Sequence, residues 1–134
     1  MIQYYNPERF KAIGRPYSMA VVAENLIFMS GQLPVEFVGD ERRVVAPGNA
    51  ALQVECIFKN MNEVLAGVGA NLTSVCWLQF FLVNIADRLN IDPIRKKWFP
   101  APYLPASTLV EVSKLAEPEA LVEINAIAYL SSWA

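Results

Sequence analysis

The 134-residue sequence contains no histidine. This absence excludes a Ser-His or Cys-His catalytic pair and a histidine-ligated metal site within one chain. Cysteine is also scarce: Cys56 and Cys76 do not form a C-x-x-C spacing, so zinc and redox sites lack their usual sequence support. We expect both thiols to be ordinary core residues, and we expect neither a metal nor a cofactor.

The chain also lacks an apolar run of membrane-spanning length. The longest such tract, residues 75–86, is interrupted by Gln79 and Asn84, whereas a transmembrane helix needs about 20 apolar residues. Residues 1–10 show no basic segment followed by an apolar one, as a secretory signal would. The net charge is −2 without a strong basic cluster, which argues against nucleic-acid binding. We therefore expect a cytoplasmic protein that binds neither membranes nor nucleic acid.

Apolar residues are nevertheless abundant and make up 54% of the chain. The length fits a single domain over residues 1–134, with a core large enough to fold without disulfides. A monomer of this size has difficulty hiding so much apolar surface, so the composition predicts an oligomer.

The spacing of apolar residues predicts the secondary structure. Residues 54–68 carry the i, i+3, i+4, i+7 stripe of a helix with one buried face, and Asn49 is its predicted N-cap. A second helix is predicted to start at Asp92 as N-cap, with Pro93 in its first turn and the basic residues 95–97 on a solvated face. The other predicted elements are a hairpin (19–22 and 26–30, with Asn25 in the turn), a solvated loop (39–43), a possible short strand (44–45) and strands at 75–83, 108–112 and 121–130.

The strand predicted at residues 75–83 is apolar on both faces. Such a strand needs two covers, and we expect a helix on one side and a neighbouring subunit on the other. The order of elements predicts an α+β sandwich, in which two helices cover one face of a mixed sheet of about six strands.

Six segments in this order resemble the Rid (reactive intermediate deaminase, YjgF-like) family. They are IGRPYSMAV, LIFMSGQLP, ALQVECIFKNMNEVLAGVGA, VCWLQFFLVNIAD, LPASTLVEV and ALVEINAIA, which together extend from Ile13 to Ala128. The resemblance implies a chorismate-mutase-like fold and a homotrimer, with the sheets in a barrel around the three-fold axis. It also implies a small-molecule cleft between adjacent subunits, where family members hydrolyse 2-imino or 2-enamino acids to 2-keto acids and ammonia.

The resemblance also implies which residues form the cleft. Tyr17 matches the cleft tyrosine and Glu123 matches the glutamate that holds the attacking water, so these two are the expected catalytic residues. Ser30 and Gly31 match the serine and glycine of the S-G-Q string and are expected to bind substrate. Arg15 is inserted before the proline of the usual I-G-P-Y string.

The family's usual arginine has no counterpart in this sequence. Where relatives have A-R-S-[CT]-V-x-V, residues 106–112 place Ser107 at the arginine's position and Leu109 at the cysteine's, with Thr108 between them. Asp92 stands where an asparagine is common on the second helix. We expect these four side chains to contact the substrate.

A serine cannot neutralise a substrate carboxylate as a guanidinium does, and three functions remain open. The sequence favours hydrolytic deamination of an imine, enamine or related intermediate that has no carboxylate at this position. Alternatively, a carboxylate substrate such as an aminomuconate-like acid is held by another cation, first Arg15, then Arg88 or Arg95 from a neighbouring subunit. The third possibility is a homologue that binds a small molecule without catalysis.

Overall fold

One mixed sheet forms the centre of the computed structural model, which describes residues 1–11 and 14–131. In chain order the strands are β1 (Ile2–Tyr5), β2 (Ala20–Ala23), β3 (Leu26–Gln32), β4 (Val35–Val38), β5 (Glu41–Val44), β6 (Val75–Leu82), β7 (Ala106–Glu111) and β8 (Val122–Tyr129). The six-stranded sheet has the order β1-β2-β3-β8-β6-β7, and β4 and β5 form a separate hairpin. Strands β6 and β7 are parallel, whereas the other pairs in the sheet are antiparallel.

Within the described ranges, three α-helices accompany the sheet: α1 (Glu8–Lys11), α2 (Ala50–Gly67) and α3 (Arg88–Trp98). Asn49 caps α2 as predicted, because its side chain accepts a hydrogen bond from the Leu52 amide at 3.0 Å. The predicted stripe faces the sheet, and its members Val54, Ile57 and Phe58 are fully buried. The stripe therefore fixes α2 against the sheet.

Alternate residues of the central strands build the core on the helix side. Leu78, Phe80 and Leu82 of β6 share one buried cluster with α2 and with Ile91 of α3. The predicted α+β class, with a six-stranded mixed sheet and two helices on one face, is confirmed. The single-domain prediction covers residues 1–134 and so includes residues 12–13 and 132–134, which lie outside the described residues.

The opposite face of the sheet carries a row of apolar side chains and has no cover within the described part of the chain. Phe28, Ile127 and Trp77 lie in one cross-strand row on β3, β8 and β6. Phe28 is 43% exposed, and the other two are half-buried. We call this face the uncovered face. From the sequence we predicted that a neighbouring subunit covers this face, and this stays a prediction.

Several local predictions are wrong in the first half of the chain. The loop predicted at residues 39–43 instead contributes to the β4–β5 hairpin, whose chain reversal uses Gly39 at φ 61°. β1 and α1 carry no long apolar pattern and were not predicted. In the β2–β3 turn the left-handed residue is Glu24, at φ 53°, rather than Asn25. Asn25 instead donates its side-chain amide to the Leu130 carbonyl at 2.7 Å, which ties the turn to the end of β8.

The second helix and one cysteine also differ from prediction. Helix α3 begins at Arg88 and holds Pro93 in its interior, so Asp92 is not an N-cap. The helix starts early because the preceding turn, Ile85–Asp87, already directs the chain into it, with the Asn84 side chain accepting from the Ala86 amide at 3.0 Å. Cys76 is exposed rather than buried, since the β6–β8 register shifts beside it.

Candidate functional site

A bulge in β3 creates the space at the centre of the first group of site residues. The β3–β8 register is interrupted between Met29 and Gln32, and the interruption contains Ser30 and Gly31. The Ser30 hydroxyl donates to the Ser18 carbonyl at 2.5 Å, which anchors the bulge. Gly31 is exposed and has no side chain, which leaves the neighbouring space free.

The Glu123 carboxyl group of β8 occupies that space. A Cβ on Gly31 would overlap the Glu123 carboxylate and lie 3.0 Å from its Cδ, so the glycine is what permits this close approach. Glu123 lies on the uncovered face, in register with Phe81 of β6, and no described residue hydrogen-bonds its carboxyl group. Burial raises the pKa of Glu123 above its ordinary value of 4.5. A carboxylate in this setting is a better proton acceptor than an ordinary exposed glutamate.

Tyr17 and Arg15 lie beside the same bulge. Both line a cavity of about 230 Å³ whose wall also includes Gly31. Tyr17 is 51% exposed, and among the described residues no carboxylate lies within 4 Å of the Arg15 side-chain nitrogens. Gly31 therefore links two neighbouring features, the Glu123 carboxyl group and the cavity lined by Tyr17 and Arg15, whereas Glu123 and Ser30 are not part of that cavity's lining.

A second group of site residues lies between α3 and β7. Asp92 and Arg95 of α3 line a cavity of about 290 Å³ together with Leu104 and Pro105, which precede β7. At the start of β7, the Arg95 Nη2 atom donates to the Ser107 hydroxyl oxygen at 2.9 Å. A positive charge of the same chain therefore lies next to position 107.

Arg95 comes from the same chain as Ser107, whereas the sequence considered it only as a contribution from a neighbouring subunit. Its guanidinium carbon also lies 4.2 Å from the centroid of the Phe80 ring, a cation–π contact. Residues 95–97 were predicted to be a solvated face, and this prediction is wrong for Arg95, which is half-buried. The missed signal is helical spacing, because Arg95 lies one turn after the fully buried Ile91.

The other two predicted residues of β7 divide between the two faces of the sheet. Leu109 is in register with Phe80 and shares the helix side with Ser107, whereas Thr108 is in register with Gln79 on the uncovered face. Leu109 therefore belongs with the Arg95–Ser107 group. Thr108 lies on the same face as Glu123.

Within one chain the two groups do not meet. Ser107 is on the edge strand β7, on the helix side of the sheet, whereas Glu123 is on β8 with β6 between them and faces the other way. The predicted site residues therefore fall into two separate groups on one chain, which we call the bulge half-site (Tyr17, Ser30, Gly31 and Glu123) and the edge half-site (Asp92, Arg95, Ser107 and Leu109) as candidates only.

Comparisons with known proteins identify the family. A family model described as Endoribonuclease L-PSP matches residues 7–130. The structure of a Rid-family protein of unknown function from Yersinia pestis superposes with a TM-score of 0.86 and 27% identity, covering 97% of this chain and all of the other. The chain belongs to the Rid family. The family predicted from the six sequence segments is thus confirmed.

Relatives within the Rid family have deaminase names. The 3-aminoacrylate deaminase RutC of Acinetobacter baylyi is 33% identical over 115 residues, which cover 86% of this chain and 87% of the relative. The 2-iminobutanoate/2-iminopropanoate deaminase of Bos taurus is 32% identical over 117 residues, covering 87% and 81%. These names concern the relatives' own substrates.

Two further findings concern the described residues of this Rid protein. They contain no group of three or more His, Cys, Asp or Glu side chains placed to hold a metal ion. Within the same ranges, none of the helices has both the length and the apolar character needed to cross a bilayer.

Proposed function

We propose that this protein hydrolyses a small reactive imine or enamine to the corresponding carbonyl compound and ammonia. The observation that carries the proposal is the Glu123 carboxylate, half-buried against Gly31 without a hydrogen-bonding partner among the described residues. Membership of the Rid family, several of whose members have deaminase names, supports the same chemistry.

The reaction needs a group that takes a proton from water and returns one to nitrogen. Water adds to the carbon of the C=N bond while Glu123 accepts a proton from it; the protonated nitrogen then leaves as ammonia and a carbonyl group forms. An enamine first gains a proton on carbon to become the imine. We assign the orientation of the substrate to Tyr17, which lines a cavity together with Gly31. General acid–base assistance of this kind is worth about 10²–10⁴-fold in rate.

We place the reaction between two subunits of a homotrimer. The apolar row on the uncovered face, with Phe28 and Trp77, needs a partner of similar character. A second copy of the chain provides one, and it would unite the bulge half-site of one subunit with the edge half-site of the next. A division of the site between subunits explains why one chain holds two groups that do not meet.

The test generates imines in situ and measures their hydrolysis. An amino-acid dehydratase or oxidase supplies the imine, and release of the keto product is followed after subtraction of the spontaneous rate. We expect the protein to accelerate release, Glu123→Gln to remove about 99% or more of the acceleration, and the exposed control Glu41→Gln to retain it. No acceleration with any imine or enamine, or full activity of Glu123→Gln, would contradict the proposal.

The pH profile gives an independent check. Glu123 must be deprotonated to accept a proton, so activity is lost as the pH falls through its pKa. Because burial raises that pKa, the acid limb should lie at a higher pH than the ordinary glutamate value of 4.5. An acid limb at or below this value, measured on kcat/KM, would show that a different group is titrating.

A further inference from the structure

The Arg95 guanidinium is held at the edge half-site by three features of the chain. The Ser107 hydroxyl accepts one N–H bond at 2.9 Å, the Phe80 ring lies beneath it at 4.2 Å, and α3 supplies the backbone. Stacking on an aromatic ring and a hydrogen bond restrict the rotation of this long side chain. The guanidinium is therefore oriented before a ligand arrives.

Most of the hydrogen-bonding capacity of this group is unused. A guanidinium has five N–H donors, and within residues 1–11 and 14–131 Ser107 is the one acceptor it has. No carboxylate of the described residues lies within 4 Å of its nitrogens, although Asp92 is close enough to act on it electrostatically. Burial lowers the pKa of Arg95, and the nearby Asp92 opposes this effect. A half-buried cation with free donors is suited to bind an anion.

The cavity beside Arg95 combines this cation with apolar walls. Its lining includes Leu78, Phe99, Leu104 and Pro105. Asp92 and Lys96 are the other charged residues of the lining, and both are exposed to solvent. A lining of this kind suits a ligand that combines an anionic group with a short apolar group.

We infer that Arg95, presented by α3 and oriented by Ser107, binds the carboxylate of the substrate, and that the substrate is a monocarboxylate with a short apolar side chain. The inference rests on the proposed function for the imine chemistry, but the binding itself does not depend on turnover. It selects the carboxylate substrate that the sequence left as an alternative, rather than the substrate without a carboxylate that the sequence favoured, and it takes Arg95 from the same chain as Ser107.

The apolar lining also implies discrimination against a second charge. A dicarboxylate held by Arg95 would place its other carboxylate against Leu78, Phe99 and Leu104, where it loses hydration, or beside Lys96, which is exposed to solvent and so stabilises an anion only weakly. We expect a dicarboxylate to bind at least about tenfold more weakly than a monocarboxylate of similar size.

Direct binding of unreactive ligands tests the inference. The probes are 2-ketobutyrate as the monocarboxylate, 2-butanone as its neutral counterpart and 2-ketoglutarate as the dicarboxylate, titrated into the intact protein by NMR. We expect Arg95→Gln to weaken 2-ketobutyrate about 100-fold and to leave 2-butanone unchanged. Asp92→Asn should tighten 2-ketobutyrate, because it removes a like charge from the cavity; a purely structural role for Arg95 does not predict this.

Three variants serve as comparisons. Arg43→Gln removes an exposed arginine that contacts Glu36 and should bind 2-ketobutyrate as the wild type does. Arg15→Gln tests the rival cation, which lines the cavity with Tyr17 and Gly31, and should have little effect on the binding of 2-ketobutyrate. Arg95→Lys keeps the positive charge and should weaken the binding of 2-ketobutyrate less than Arg95→Gln does. The comparison distinguishes an effect of the charge from a general disturbance of the fold.

The outcomes separate this inference from the proposed function. Binding of 2-ketobutyrate that is unchanged in Arg95→Gln, absent from the wild type, or lost in Arg15→Gln alone would overturn the role of Arg95. Turnover that does not depend on Arg95 would overturn it while supporting deamination. Arg95-dependent binding without turnover of any imine would support this inference and contradict the proposed function.

Discussion

Replacing Gly31 with alanine tests whether the position of the Glu123 carboxylate matters. The added Cβ would lie 3.0 Å from Cδ and 3.4 Å from Cγ of Glu123, whereas carbon atoms are in optimal contact at about 3.5–4.0 Å. The atom that must move is the end of a flexible side chain rather than backbone. The carboxyl group therefore moves by on the order of 1 Å, and a displacement of that size can cost an enzyme about 100-fold in rate.

The same substitution should leave the stability almost unchanged. Gly31 is not among the residues with positive φ, so alanine introduces no backbone strain there. An alanine without strain gains about 0.4–1 kcal/mol through the unfolded chain, and displacement of Glu123 opposes this gain. We expect a change in the free energy of unfolding of within about 1 kcal/mol, measured by urea denaturation, together with about 100-fold slower imine hydrolysis.

Gly39→Ala is the matched control. Gly39 has φ 61° and no atom within 4 Å of an added Cβ, so alanine there should cost about 1–2 kcal/mol of stability and leave activity unchanged. If Gly31→Ala hydrolyses imines at the wild-type rate while Glu123→Gln does not, the argument from carboxylate placement is refuted. The argument would also be refuted if the loss of activity in Gly31→Ala and Gly39→Ala were proportional to their loss of stability.

Two further predictions concern the core and the assembly. Gln53 is fully buried; its amide nitrogen donates to the Val45 and Glu119 carbonyls, and its oxygen accepts from the Leu121 amide at 2.8 Å. Gln53→Leu leaves these groups unpaired and should lower the free energy of unfolding by about 2–4 kcal/mol in urea; a loss below about 0.5 kcal/mol would contradict this account. Phe28→Glu places a charge on the uncovered face and should give a monomer by light scattering that no longer hydrolyses imines, and an unchanged mass would argue against this face as the subunit contact.

Strong periodic patterns were sufficient to predict the main elements. The stripe in α2 and the near-continuous apolar run of β6 both arise from burial, so they are visible in the residues themselves. The β4–β5 hairpin was missed because it lies outside the main sheet and its strand β5 carries charged residues. The start of α3 was misplaced because Pro93 usually marks a first helical turn, whereas here the preceding turn had already started the helix.

The contacts of the candidate site were predictable only where the residues lie on strands that pair in the main sheet. Gly31 and Glu123 come together because β3 and β8 pair in the main sheet. The contact between Arg95 and Ser107 joins a helix to a strand twelve residues later, and it depends on how α3 packs across the sheet. Such a contact leaves no local pattern in the sequence.

The origin of Arg95 on a helix has a consequence for how relatives of this protein are classified. An alignment column that contains the start of β7 records serine here and counts the positive charge as lost, although a guanidinium nitrogen lies 2.9 Å from that serine. Subgroups of the family defined from this column alone would place the chain among uncharged members. Grouping by the atoms that surround the position would place it with the charged ones.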